Sequence, residues 1–333
     1  MNTTTEPTAP GPRRDALGLT LDAENVLERP PSIVLYGPPG AGKSTAMVQA
    51  FQRALFVCSA PTVLRPYASW LEDLRTRDPN RARQFLPLLD PSSTPGTSFV
   101  ARKTLPEPGQ LAAMGLTTQT ALTSILTAFI DACAAGTCSY QGIVFDEAST
   151  FADRIYTENV RAFEGTKRRT WGNPAADATK TFLRWMLAVP RLTGRALGLV
   201  CHAVRPRYFS TYDEKIASAN RGELEYRGGP ALKPASSISE ICAAADIVIQ
   251  LDVEAAESNA TAALFSVKES SKTEPGDDGL APAITDARAK RRLFTEAHPS
   301  WERKFRDFRV LPVVTLDGRT DLRSLLERAG YRL

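Results

Sequence analysis

Five short runs of this chain are almost wholly apolar: residues 32–36, 54–58, 142–145, 196–201 and 247–251. Strands covered on both faces read this way, whereas a half-exposed strand alternates apolar and polar positions. The segments between them have a helical period. Residues 118–135 place Leu122, Ile125, Leu126, Phe129 and Ile130 on one face, the spacing of an amphipathic helix. Residues 45–51, 174–189 (with Phe182, Trp185 and Met186 inward), 238–244 and 322–329 also predict helices, the last stopped by Gly330. Strands that alternate with helices predict an α/β fold, a mostly parallel sheet sandwiched by helices. Residues 262–267 and 310–314 are expected to add antiparallel strands near the C-terminus.

Two stretches break the pattern. Residues 1–30 are polar at their start and hold little core material, with a short helix expected at 21–27. Residues 61–110 are punctuated by Pro61, Pro66, Pro79, Pro87, Pro91, Pro95, Pro106 and Pro108. They predict a loop-rich insertion carrying short helices at 67–77 and 79–85. The expected organisation is a flexible tail over 1–30 and one domain over 31–333 that contains the insertion. Composition changes this picture little. The chain has 333 residues, 43% apolar and 23% charged, ordinary values for a globular chain. A net charge of +4 is compatible with nucleic acid but does not demand it. No run is long enough to span a membrane, and residues 1–12 lack a signal peptide's apolar core, so a cytoplasmic protein is expected. Cys58, Cys133, Cys138, Cys201 and Cys242 are odd in number and include no Cys-x-x-Cys pair. Buried free thiols are expected rather than zinc or disulfides.

The first apolar run leads into Gly37-Pro38-Pro39-Gly40-Ala41-Gly42-Lys43-Ser44-Thr45, and a helical segment follows. Strand, glycine-rich loop and helix in this order predict a triphosphate site. Gly37, Gly40 and Gly42 are expected to leave room for phosphate and to allow unusual backbone angles. The loop's N–H groups would form an anion nest, strengthened by the helix N-terminus. Lys43 is placed to reach the β- and γ-phosphates and the Ser44 hydroxyl to hold Mg²⁺. The run 142–145 ends in Asp146-Glu147. A carboxylate at that strand end suits the metal beside Ser44, and Glu147 suits a general base for the attacking water. His202 ends the run 196–201 and is a candidate γ-phosphate sensor. Lys43, Asp146 and His202 all follow strand ends, where ligands of parallel sheets bind.

With these residues in hand, the chain resembles the phage and prokaryotic RecA-like P-loop ATPases, and among them the small phage proteins linked to single-strand DNA annealing and recombination. The likeness runs from Ser32 to the C-terminus, outside the 61–110 insertion. It lies in the order of the Gly37–Thr45 loop, the Asp146 strand, Trp171-Gly172 before a helix, and the His202 strand. Ala245-Asp246-Ile247-Val248, Phe265-Ser266-Val267-Lys268 and Trp301…Lys304-Phe305-Arg306 before Leu311-Pro312 follow. The resemblance implies ATP rather than GTP, in keeping with the lack of an Asn-Lys-x-Asp motif. It also implies Mg²⁺, DNA as partner and a homo-oligomer. One departure stands out. In RecA proper the catalytic glutamate follows another strand, whose counterpart here reads Cys58-Ser59. Either Glu147 takes over, as in AAA-type and helicase-type ATPases, or hydrolysis is slow.

The expected function is ATP hydrolysis coupled to DNA, single-stranded DNA above all. Competing readings are a DNA-packaging or helicase-loader motor, a P-loop kinase with 203–230 as its lid, and a nucleotide-gated scaffold. The segment 205–237 interleaves Arg205, Arg207, Tyr208, Phe209, Tyr212, Lys215, Arg221, Tyr226 and Arg227, a composition suited to phosphates and unpaired bases. Gly222, Gly228 and Gly229 are expected to let it move. Arg205, Arg207, Lys304 and Arg306 are candidates for a cation supplied to a neighbouring subunit.

Overall fold

A computed structural model of the chain describes residues 30–51, 53–59, 76, 99–164, 173–208, 224–253, 291–295, 302–304, 313–316 and 321–331. The expected helix at 21–27 and the expected strand at 262–267 lie outside the described residues. So do the expected helices at 67–77 and 79–85, apart from helical Thr76.

The molecule is α/β, with a mostly parallel mixed sheet flanked by helices. Six parallel strands form its body: β1 (Ser32–Gly37), β2 (Arg53–Cys58), β3 (Phe99–Thr104), β4 (Gly142–Asp146), β5 (Ala196–Val204) and β9 (Ile247–Val253). They lie in the order β9-β1-β5-β4-β2-β3, and β10 (Arg291–Phe294) and β11 (Val313–Leu316) extend the sheet antiparallel beyond β9. The short β6 (Arg207–Tyr208) and β7 (Leu224–Tyr226) pair with each other, and β8 (Gly229–Pro230) pairs with β5.

The period-2 pleat sorts each run onto two faces. Val34 and Tyr36 of β1, Ile143 and Phe145 of β4, and Leu197, Leu199 and Cys201 of β5 point into one core. That core is covered by α2 (Pro108–Ala113), α3 (Thr118–Ala134), α4 (Ala148–Ala162), α5 (Pro174–Leu187), α6 (Val189–Thr193) and α7 (Ile238–Ala244). Ile33, Leu35, Val144, Val200 and Ile249 point the other way, beneath α1 (Lys43–Ala50) and α8 (Leu322–Arg328). At the start of β1, Asp246 accepts bonds from the Ser32 N–H at 2.8 Å and its hydroxyl at 2.7 Å. This ties the first strand to the last parallel one.

The structure corrects several expectations. The end of the expected insertion is part of the fold: β3 is a parallel edge strand and α2 packs Leu111 into the core. Its polar Arg102 and Lys103 masked the strand signal, which an edge position tolerates. Helix α4 was not legible, because Asp153, Arg154, Glu158, Asn159 and Arg161 dilute the apolar stripe of Phe151, Ala152 and Ile155. Strand β10 was hidden behind its basic start. The strand carrying His202 does not stop there but runs on to Val204.

Candidate functional site

The parallel strands end in register along one edge of the sheet. Gly37 lies opposite His202, and Cys58 lies opposite both Asp146 and Thr104. The glycine-rich loop leaves β1 at this edge. Gly40 and Gly42 hold φ of 79° and 90°, left-handed backbone that glycine adopts without cost. Gly37 is required for a different reason: a methyl group there would collide with the Leu251 carbonyl of β9. The open side of Gly42 faces protein as well, since a methyl group there would lie 3.2 Å from the Arg291 Nε. Two of the three motif glycines therefore make room for neighbouring chain.

Lys43 opens α1 and is buried. Its ammonium donates to the carbonyls of Gly37 at 2.9 Å and Pro38 at 2.8 Å. Burial pulls its pKa down to about 8, against the charges of Asp146, Glu147 and Asp252, which hold it up. Ser44 donates its hydroxyl to Asp146 Oδ1 at 3.0 Å. Asp146 is 1% exposed. Burial raises its carboxyl to about 7, and Glu147 adds to the rise, while the Ser44 bond and Lys43 lower it. Its other oxygen, Oδ2, is buried with no hydrogen-bond partner among the described residues.

Glu147 caps α4 and takes a left-handed conformation, φ 65°. A non-glycine residue there is strained. Its carboxylate accepts a hydrogen bond from the Ser59 hydroxyl, just past β2. Burial raises the Glu147 pKa, while Arg154 and Lys43 oppose the rise. Lys43, Ser44, Asp146 and Glu147, predicted from separate motifs, thus form one cluster. Pro38, Pro39, Ala41 and Thr45 complete the loop around it. His202 occupies the adjoining strand, and its backbone N–H donates to Ser149 Oγ at 3.0 Å.

No protein-family model matches this chain, and no curated protein matches it.

Three residues at this edge were missed. Ser59 directly follows the Cys58 strand in the sequence, but a hydroxyl there carries no acid-base signal of its own. Asp252, 5% exposed near the end of β9, obeys the same strand-end rule. Arg291 carried no local signal, because it reaches the loop from the far end of the chain.

Near the C-terminal end of the basic and aromatic segment, Gly228 and Gly229 are more tightly held than expected. Gly228 accepts a bond from the Glu302 N–H at 2.7 Å. Gly229 pairs with Val204, and a methyl group on it would lie 3.1 Å from Ile238 and 3.2 Å from Glu302. These two glycines are buried and paired, so they are not hinges. Phe209, Tyr212, Lys215, Arg221 and Gly222 lie outside the described residues. Lys304 donates to the carbonyls of Ala243 and Ala245 at the end of α7, which makes it a helix cap. Arg306 is outside the described residues.

No described helix is long and apolar enough to cross a membrane.

Proposed function

We propose that this protein is a Mg²⁺-dependent, RecA-like ATPase that acts on DNA. The observation that carries the reading is the 3.0 Å bond between Ser44 and Asp146, made beside the buried Lys43. A loop helix and a strand 102 residues downstream converge there on a hydroxyl and a carboxylate. Mg²⁺ takes few protein oxygens and fills its octahedron with phosphate oxygens and water. The donor set fits that demand, and the unpartnered Oδ2 of Asp146 is an oxygen that a cation would satisfy. When bound, Mg²⁺ would neutralise charge on the β- and γ-phosphates.

The chain's own residues have distinct parts in this reading. The loop N–H groups and the start of α1 bind the phosphates. Lys43 exchanges the Gly37 and Pro38 carbonyls for phosphate oxygens. Glu147 accepts the proton of the attacking water, and Ser59 fixes where its carboxylate lies. His202 stands on β5, the strand between the loop's β1 and the acidic β4, which supports a part in sensing the γ-phosphate. The preference for ATP follows the family resemblance. For DNA, the support is that β6 and β7 rise directly from the C-terminal end of β5, with Arg205 and Arg227 exposed at their base. Because Gly228 and Gly229 are pinned, the base of this segment is a poor hinge for a kinase lid.

The test is phosphate release from ATP·Mg²⁺ by the full chain, with and without single-stranded DNA. Expected is turnover that DNA stimulates and that Lys43→Ala abolishes with the circular dichroism unchanged. Phosphate transfer to a small acceptor would favour the kinase, and equal rates in wild type and Lys43→Ala would sink the proposal.

A further inference from the structure

The geometry points to Arg291 as a positioning residue that holds the glycine-rich loop in its anion-binding shape. The inference rests on the nucleotide reading above and deepens it. Arg291 is the first residue of β10, and β10 runs antiparallel to β9. An antiparallel strand begins where its parallel neighbour ends. Arg291, opposite Val253, therefore lands on the edge of the sheet where the loop emerges, although 250 residues separate it from that loop.

Two contacts define what it does there. Its Nε–H donates to the Ala41 carbonyl at 3.0 Å. Its Nε and Cδ lie 3.2 and 3.4 Å from the position a Gly42 methyl group would take. In a trans peptide the C=O and the following N–H point in opposite directions. Holding the Ala41 carbonyl towards Arg291 therefore aims the Gly42 N–H away from Arg291. That N–H is one of the donors an anion nest needs. A guanidinium also brings a full positive charge beside the loop. Gly42 is what admits the arginine, so glycine and arginine act as a pair.

The pair predicts how binding should respond. The test is titration calorimetry of the full chain with ATP·Mg²⁺ and with ADP, alongside thermal melting. Arg291→Met keeps the side chain's stem as far as the position of Nε but removes donor and charge. It should weaken both nucleotides roughly tenfold or more, the scale of a charge-assisted hydrogen bond. Both should suffer alike, because the loop would hold the β-phosphate common to the two. Arg291→Lys keeps a charged donor and should recover most of the affinity. Gly42→Ala should cost less in an Arg291→Ala background than in wild type, since the contact with Cδ and Nε is then relieved and only the backbone strain remains. An Arg291→Met chain that binds like wild type, or Arg291→Lys as weak as Arg291→Met, overturns this inference and leaves nucleotide binding standing. A wild-type chain that binds neither nucleotide overturns both.

Discussion

Glu147 is where local strain and candidate chemistry coincide. Its left-handed backbone is the one positive φ outside glycine among the described residues. Such a conformation costs about 1–3 kcal/mol and persists where the surroundings enforce it. Here the end of β4, the start of α4 and the Ser59 hydroxyl enforce it. The proposed base and its anchor should separate in kinetics. Glu147→Gln should leave ATP affinity unchanged and lower kcat about 10²–10⁴-fold. Ser59→Ala should also spare affinity and lower kcat by less, because the carboxylate remains but wanders. Wild-type turnover in Glu147→Gln would move the base elsewhere. Asp146 gives a second test, with pH as the variable. Burial keeps its proton on up to about pH 7 in the folded chain, whereas an unfolded aspartate loses it near 4. The stability it contributes is present below pH 4 and lost as pH rises through 7. Asp146→Asn should therefore be more stable than the nucleotide-free wild type at pH 8, by at most about 4 kcal/mol, and the advantage, read by thermal melting, should vanish towards pH 4. An advantage independent of pH would show that Asp146 ionises freely. Mg²⁺ held as proposed would require the carboxylate, so its binding should release a proton below pH 7.

At the scale of elements, what was legible followed how strongly each segment's pattern agreed with its place. The strands beginning at Ser32, Arg53, Gly142, Ala196 and Ile247 were readable because a centre strand must be apolar on both faces. Helix α3 was readable because Leu122, Leu126 and Phe129 repeat cleanly. Strand β3 was not, because an edge strand can carry Arg102 and Lys103, and β10 was not, because its first two residues are both arginines. The site divided along the same line. Lys43, Ser44, Asp146 and Glu147 lie in local motifs, and the sheet only had to bring strand ends together. Ser59 and Arg291 have meaning only through what they touch. Gly37 shows how a motif position can mislead. It was expected to admit phosphate, but its hydrogen faces the Leu251 carbonyl of β9. Gly37→Ala should therefore lower the melting temperature of the nucleotide-free protein, since forcing atoms into a packed interior costs typically 1–3 kcal/mol. Gly109 is the control. It lies in α2 with nothing within 4 Å of an added methyl group, and Gly109→Ala should gain up to about 1 kcal/mol. Equal melting temperatures for Gly37→Ala and wild type would return that glycine to a role in ligand binding alone.

Across the whole molecule, the two faces of the sheet are unequally covered, with six helices on one and two on the other among the described residues. The candidate site lies at neither face but along the strand-end edge of the sheet. Charge at that edge bears on whether a second copy of the chain must complete it. Asp146 and Glu147 face Lys43 there, while Arg154 lies near Glu147. Lys304, one expected donor to a neighbour, is committed to the end of α7. Arg205 is exposed just beyond β5 on the same edge. A cation supplied by a neighbouring subunit is worth about 10³–10⁵ in rate. If Arg205 acts across a subunit boundary, turnover per subunit should fall on dilution, and Arg205→Ala should lose turnover while keeping ATP affinity. Mixing decides the matter. Lys43→Ala subunits retain Arg205, and Arg205→Ala subunits retain a complete loop. Each alone should be inactive, and together they should recover turnover at interfaces that pair an intact loop with an intact arginine. Recovery that scales with the fraction of such mixed interfaces supports a shared site. No recovery in a mixture shown by native mass spectrometry to co-assemble, or a rate per subunit constant down to demonstrated monomer, would confine the chemistry to a single chain.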